Sequence, residues 1–166
     1  MIAAALVCNP KVLIADEPTT ALDVTIQAQI IELMLDLKRE FDTSIIMITH
    51  DLGVVAETCA RVVVMYAGRK VEEAAGGELF AAPLHPYTQG LLSATPRLET
   101  APGTRRADRP RLVEIPGMVP TLKGELKGCC FAPRCHKATA ICRESAPTLE
   151  DRGNGHIVSC FNCGGA

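Results

Sequence analysis

Two adjacent carboxylates and one imidazole are the residues of this chain best spaced for hydrolytic chemistry. Asp16 and Glu17 follow the apolar run Val12-Leu13-Ile14-Ala15 and precede Pro18. His50 follows a second apolar run, Ile45-Ile46-Met47-Ile48, and Thr49. Short continuous runs of this kind suit strands buried on both faces of a parallel sheet, and ligands of such sheets bind at the carboxyl ends of the strands. There Asp16 is suited to hold Mg²⁺, which prefers one or two carboxylates plus phosphate oxygens. Glu17, slightly further out, is placed to take a proton from an attacking water. Neighbouring strands would bring His50 to the same edge, where it can donate to a terminal phosphate oxygen and orient that water. Phosphoryl transfer asks mainly for such positioning and charge stabilisation. An Asp-Glu pair alone ends many core strands as a plain acidic turn, and a lone histidine is more often structural. It is the ordered set, with Thr19-Thr20-Ala21-Leu22-Asp23 directly after Pro18, that is specific.

The elements needed to hold this set are legible. Lys11 to Asp16 and Ser44 to Thr49 read as two buried strands. Asp23 reads as the N-cap of a long helix with Ile26, Ile30, Leu33 and Leu37 on one face, closed by Lys38, Arg39 and Glu40. A short helix over Leu52 to Glu57 and a third strand, Arg61 to Tyr66, follow. Ala67-Gly68-Arg69-Lys70 reads as a turn, and Lys70 to Glu73 as an antiparallel return strand. Strand, helix, strand, helix, strand is the alternation of a parallel α/β sheet. The opening Met1 to Cys8 has no preceding Lys or Arg and ends at Asn9-Pro10, so it reads as the last turns of a helix rather than a signal core.

Past Gly76 the character changes. Nine of the eleven prolines lie at or beyond Pro83, which disfavours long helices and central strands there. Residues 97–127 read as a linker over a surface. The net charge of −2 divides into −6 for residues 1–96 and +4 for residues 97–166, a basic tail best read as a solvated surface. Aromatic residues make up only 4%, with no Trp, which argues against a platform for single-stranded nucleic acid. No apolar run approaches the ~20 residues needed to cross a bilayer, and the sequence predicts a cytosolic chain.

The set resembles ABC transporter ATPases. Leu13 to Pro18 is similar to their Walker B strand with its catalytic Glu, Thr20-Ala21-Leu22-Asp23 to their D-loop, and His50 to their switch histidine. The resemblance implies that Asp16 supports Mg²⁺, that Glu17 is the general base, that His50 senses the γ-phosphate of ATP, and that Asp23 contacts an opposing subunit across a shared nucleotide. It implies an α/β fold: the parallel-sheet C-terminal part of an ABC-type P-loop ATPase over residues 1–82, followed by an irregular Pro/Cys-rich C-terminal extension over residues 83–166. The Gly-Lys-Ser/Thr phosphate loop, the glutamine loop and the Ser-Gly-Gly-Gln signature of that family are not in this sequence. Backbone amides of such a loop supply most nucleotide affinity, so the chain alone is expected to bind ATP weakly or not at all and to be inactive.

His85-Pro86-Tyr87-Thr88-Gln89-Gly90-Leu91-Leu92-Ser93-Ala94, Ile115 to Pro120 and Gly128 to Cys135 resemble the extension of the oligopeptide, dipeptide and nickel importer subfamily. The implied protein is the ATP-hydrolysing subunit of a peptide importer, peripheral on the cytoplasmic face of the inner membrane. Its implied partners are a second ATPase subunit, membrane-spanning permeases and, indirectly, a solute-binding protein, with no nucleic acid. The competing readings are a non-transport ATPase of the same superfamily, against which the proline-rich tail argues, and a non-enzymatic metal-binding module.

Six of the eight cysteines fall between Cys129 and Cys163. Cys129, Cys135, Cys142 and Cys160 are separated by five, six and seventeen residues. Four clustered cysteines in a cytosolic chain suggest metal before disulfides, and four thiolates fit a [4Fe–4S] cluster, which the resemblance also implies. Arg134 and Lys137 would favour thiolate there. Zinc is the rival, helped by Cys160-Phe161-Asn162-Cys163 and His156, and free thiols under a loop are the third reading. Cys8 and Cys59, in apolar sequence, are expected in the core.

Overall fold

The computed structural model describes residues 5–20, 22–95, 114–119 and 127–163. Ala21 and most of the expected 97–127 linker lie outside them. Chain contacts divide the protein into two compact units, Met1–Thr58 and Cys59–Ala166.

In the first unit, strands β1 (Val12–Asp16) and β2 (Ser44–Ile48) pair in parallel, with Val12 beside Ser44 and Asp16 beside Ile48. Helix α1 (Val24–Phe41) connects them. Asp23 caps it as expected: its carboxylate accepts the Ile26 N–H at 2.9 Å, satisfying a donor that the helix leaves unpaired. The helix stops at Asp42, which adopts φ 48°. The Thr43 hydroxyl then donates to the Pro10 carbonyl at 2.8 Å, tying the entries of both strands together. Helix α2 (Leu52–Thr58) closes the unit.

The strands are not buried on both faces. Exposure alternates along each, and Val12, Ile14, Ile46 and Ile48 share one face with about half or more of their surface in water. Among the described residues nothing covers that face. Cys8 is also not a core residue. Asn9, at φ 47°, donates its N–H to Leu6 O and turns the chain outward, leaving Cys8 exposed, while Cys59 is half-buried.

The second unit opens with β3 (Arg61–Tyr66), which turns through Ala67 and Gly68, both at positive φ, into β4 (Arg69–Ala75). The α/β class holds, but parallel pairing is confined to β1 and β2 among the described strands. The tight turn makes β3 and β4 the expected antiparallel hairpin, with a bulge between Val64 and Met65. Strands β5 (Glu150–Asp151) and β6 (Ile157–Val158) extend it in the order β3-β4-β6-β5. Helices α3 (Gly76–Ala81), α4 (Pro86–Ala94) and α5 (Ala140–Glu144) complete the unit. Pro86 is tolerated because it occupies the first turn of α4, where its missing N–H is no loss. The few aromatic residues are concentrated here: Tyr66 meets Phe131 edge-on at 5.1 Å and Tyr87 at 4.7 Å, above Val71 and Cys130. Among the described residues no helix is long and apolar enough to cross a membrane.

Candidate active site

The parallel register decides where the hydrolytic candidates sit. Asp16 ends β1 beside Ile48, and the Glu17 N–H donates to the Ile48 carbonyl at 2.8 Å. Glu17 is thereby fixed at the strand end that leads, two residues on, to His50. The His50 Nδ1–H donates to Glu17 Oε1 at 3.2 Å, and the Thr20 hydroxyl donates to Oε2 at 2.8 Å. Both carboxylate oxygens are therefore engaged, and the ring keeps Nε2 free for another partner. The Thr20 hydroxyl first, then the imidazole, hold the Glu17 carboxyl below the usual carboxylate range. At neutral pH Glu17 is a proton acceptor. Its backbone lies at φ 45°, a left-handed conformation that a non-glycine residue rarely adopts, and strained positions of this kind cluster at functional sites. The pair is open to water, with 80% of the His50 and 46% of the Glu17 side-chain surface accessible.

Asp51, next to His50, is a residue the sequence reading passed over. Its carboxylate accepts from Gln27 Nε2 at 2.9 Å and from the Gly53 and Val54 N–H groups. These bonds, Gln27 first and then Val54, hold it below the usual range. They tie the residue after His50 to α1 and start α2. The signal was present as an Asp one place before Leu52, in capping position. Asp23 is spent on capping α1 and lies outside the Glu17–His50 contact.

The cysteine site belongs to the second unit. Cys129, Cys135 and Cys160 from separate loop segments and Cys142 from α5 all line one small cavity of about 10 Å³, together with His85, Phe131 and Asn162. The Cys129 N–H donates to the Cys142 carbonyl at 2.8 Å. Only glycine fits before it, since a Cβ at Gly128 would lie 2.6 Å from the Cys142 and Arg143 carbonyl oxygens. The Cys142 sulfur lies 3.4 Å from the Thr139 hydroxyl and 3.5 Å from the Asn162 amide. The Cys130 thiol and then the His85 imidazole lower Cys129 to about 4, while burial pushes Cys135 up and Cys160 up to about 11. None of the eight cysteines is in a disulfide, and among the described residues no three His, Cys, Asp or Glu side chains are gathered tightly enough for one metal ion.

Two expected contributors act elsewhere. Arg134 donates to the Ile115 and Pro116 carbonyls at 2.7 and 2.8 Å, because that segment has no strand partner to satisfy it. His156 donates from Nε2 to Glu72 at 2.7 Å and places Nδ1 3.5 Å from Glu78, so it is not a spare zinc ligand. Glu72 is fully buried and also accepts the Leu84 and His85 N–H groups at 2.6 and 3.1 Å.

Residues 71–142 match the family described as "Oligopeptide/dipeptide transporter, C-terminal region". The chain is 56% identical, over 97% of its length and 46% of the relative's, to the "Probable peptide ABC transporter ATP-binding protein y4tR" of Sinorhizobium fredii. It is 54% identical, over 97% of its length and 47% of the relative's, to the "Oligopeptide transport ATP-binding protein AppD" of Bacillus subtilis. Among solved structures, cbiO1 of Clostridium perfringens, part of an ABC transporter complex, aligns with 48% of this chain and 32% of its own at 41% identity and a TM-score of 0.45. The chain spans about half the length of the curated relatives it matches. Over nearly its whole length the chain is similar to the ATP-binding proteins of oligopeptide ABC transporters, and it carries the sequence of their C-terminal region.

Proposed function

We propose that the chain is the hydrolytic half of the ATP-binding subunit of a peptide importer, residues 1–82 forming part of the ATPase domain and residues 83–166 its C-terminal extension. The observation that carries this reading is the His50–Glu17 hydrogen bond at the carboxyl ends of adjacent parallel strands. In the reaction Glu17 takes the proton of a water attacking the γ-phosphorus of ATP. His50 keeps the carboxylate oriented and turns Nε2 toward the γ-phosphate. Asp16, one residue back, holds Mg²⁺, which supplies charge neutralisation for the leaving phosphate. Asp23 faces a second ATPase subunit across the nucleotide. Hydrolysis then drives membrane-spanning permeases fed by a solute-binding protein, with the chain on the cytoplasmic face of the membrane. The exposed apolar face of β1 and β2 fits a subunit in which further chain of the relatives' length packs over that sheet.

For the extension, the donor set is the test of fit. Four thiols without disulfides and an apolar surround suit a [4Fe–4S] cluster, whose thiolates need not converge on one point as those of a single zinc ion must. The cavity has room for about one water, so loading would require the lining thiols to move apart. Cys129, Cys135, Cys142 and Cys160 would be the residues to hold such a cluster, which would supply a one-electron centre.

The test is a graft. Residues 1–166 replace the matching portion of the Bacillus subtilis relative, and ATP turnover is measured. The graft should hydrolyse ATP, and Glu17→Gln should lower kcat by about 10²–10⁴ while ATP still binds. A Glu17→Gln graft turning over at the unmutated rate would remove Glu17 from the reaction.

A further inference from the structure

The direction of the His50 ring is not set by the ring itself. Among the described residues it hydrogen-bonds Glu17 alone, at 3.2 Å, and 80% of the side-chain surface is in water. The backbone on either side must therefore aim it. The Asp51 N–H donates to the Thr49 hydroxyl at 3.1 Å, so the residues flanking His50 are joined to each other. The Asp51 carboxylate then does two jobs. Its Oδ1 accepts the Gly53 and Val54 N–H groups at 2.9 and 3.3 Å and starts α2. Its Oδ2 accepts the Gln27 side-chain amide at 2.9 Å, from 24 residues earlier in the chain. A carboxylate can only accept, so the amide nitrogen of Gln27 must face it. Gln27 lies one turn past the Asp23 cap of α1, its own N–H bonded to the Asp23 carbonyl at 2.8 Å. Gln27 and Asp51 are both half-buried, which strengthens the bond and makes its loss costly. Without the amide, Oδ2 loses its partner and the carboxylate is free to turn. The cap that fixes the residue after His50 turns with it.

We infer that Gln27 is a positioning residue for the hydrolytic reaction: by holding Asp51 from α1, it fixes the backbone that aims His50 at Glu17. This rests on the hydrolytic reading above and adds to it a residue outside the Glu17–His50 contact. The effect belongs to the chemical step. A misplacement of about 1 Å can slow a reaction about a hundredfold, and the Glu17–His50 bond is exposed enough to be lost on a smaller shift. Binding of ATP does not draw on the Gln27 amide, so KM should not follow kcat. The simpler role for the same bond is a staple between α1 and the start of α2. The two roles differ in one respect. A staple matters whatever residue stands at position 50, whereas a positioning bond matters only while His50 is there to be aimed.

The experiment uses the grafted subunit, with kcat and KM for ATP measured for Gln27→Met, His50→Ala and the two together. Gln27→Met keeps the length and helix preference of the side chain and removes the donor. It should lower kcat about tenfold and leave KM within about twofold. In the His50→Ala background the same change should have little further effect. An equal loss in both backgrounds would make the bond a staple and overturn the inference, as would a Gln27→Met graft with unchanged kcat. A second pair covers the case in which Gln27→Met does not fold. Gln27→Glu sets two carboxylates against each other. Asp51→Asn in the same chain exchanges donor and acceptor across the contact and still caps α2. The paired variant should regain the kcat lost by Gln27→Glu, and no recovery would overturn the inference. A His50→Ala graft as fast as the unmutated one would sink the hydrolytic reading itself, and the inference with it.

Discussion

The unit that ends at Thr58 and the unit that begins at Cys59 handle burial in opposite ways. Among the described residues, the first buries Met34, Thr43 and Val55 and leaves four large aliphatic side chains of its sheet in water. The second buries an aromatic cluster, Cys130 and Cys142, and a polar network around Glu72. Its sheet is antiparallel and short, yet among the described residues the Thr88 hydroxyl is its one buried side-chain polar atom without a hydrogen bond. The lesson is that local geometry and burial separate cleanly. The hydrolytic pair is fixed by register, caps and one backbone hydrogen bond, none of which needs a finished core. The cysteine site is fixed by long-range contacts that only a closed interior provides.

The strongest way to break this contrast is nucleotide affinity. An active edge without the amides that cradle phosphates should bind ATP no tighter than about 1 mM, a thousandfold or about 4 kcal/mol short of a micromolar site. Isothermal titration of the isolated chain with Mg-ATP checks this, and a micromolar constant would contradict it. Next in size is Glu72→Ala in the second unit. It strips acceptors from Leu84, His85 and His156 at once, and the cost should be about 3 kcal/mol in urea unfolding. A change under about 1 kcal/mol would mean that the network is not what holds the extension to β4.

Smaller effects sharpen the same line. Glu73 pairs with Lys70 at 2.7 Å and Arg61 at 2.6 Å, and these bonds lower its pKa. A lowered carboxylate stabilises above its unfolded value, here about 4.5, and that contribution is lost as pH falls through the folded value. Glu73→Gln should therefore cost about 0.5 kcal/mol at pH 7 and progressively less as pH falls below about 4.5, measured by thermal melts. Smallest is Ile46→Lys on the open face of β2. In the isolated chain its stability change should stay within about 0.5 kcal/mol, whereas in the grafted subunit it should block folding or assembly. A large loss in the isolated chain would mean that the face is covered there.

What the sequence disclosed follows the same division. The acids after β1, the histidine after β2, the Asp23 cap and the Ala67-Gly68 turn were legible because each depends on residues a few positions apart. The open face of β1 and β2 was not, because an apolar run says that a strand wants cover and not whether cover is present. Glu72 was hidden as well. In Val71-Glu72-Glu73 it looks like a solvent-facing strand acid, and only His156, 84 residues later, makes its burial possible. The same holds for His85, whose N–H is held by Glu72, 13 residues earlier. Cys8 misled for the opposite reason: apolar neighbours in sequence did not prevent the Asn9 turn from directing it to water.

The account turns on Glu17 and His50 acting as one unit, and a double-mutant cycle in the grafted subunit tests this most directly. Single-turnover ATP hydrolysis is measured for Glu17→Gln, His50→Ala and the double variant. If the imidazole works through the carboxylate that it contacts at 3.2 Å, the double variant should be little slower than Glu17→Gln alone. Losses that multiply, as for independent groups, would contradict it.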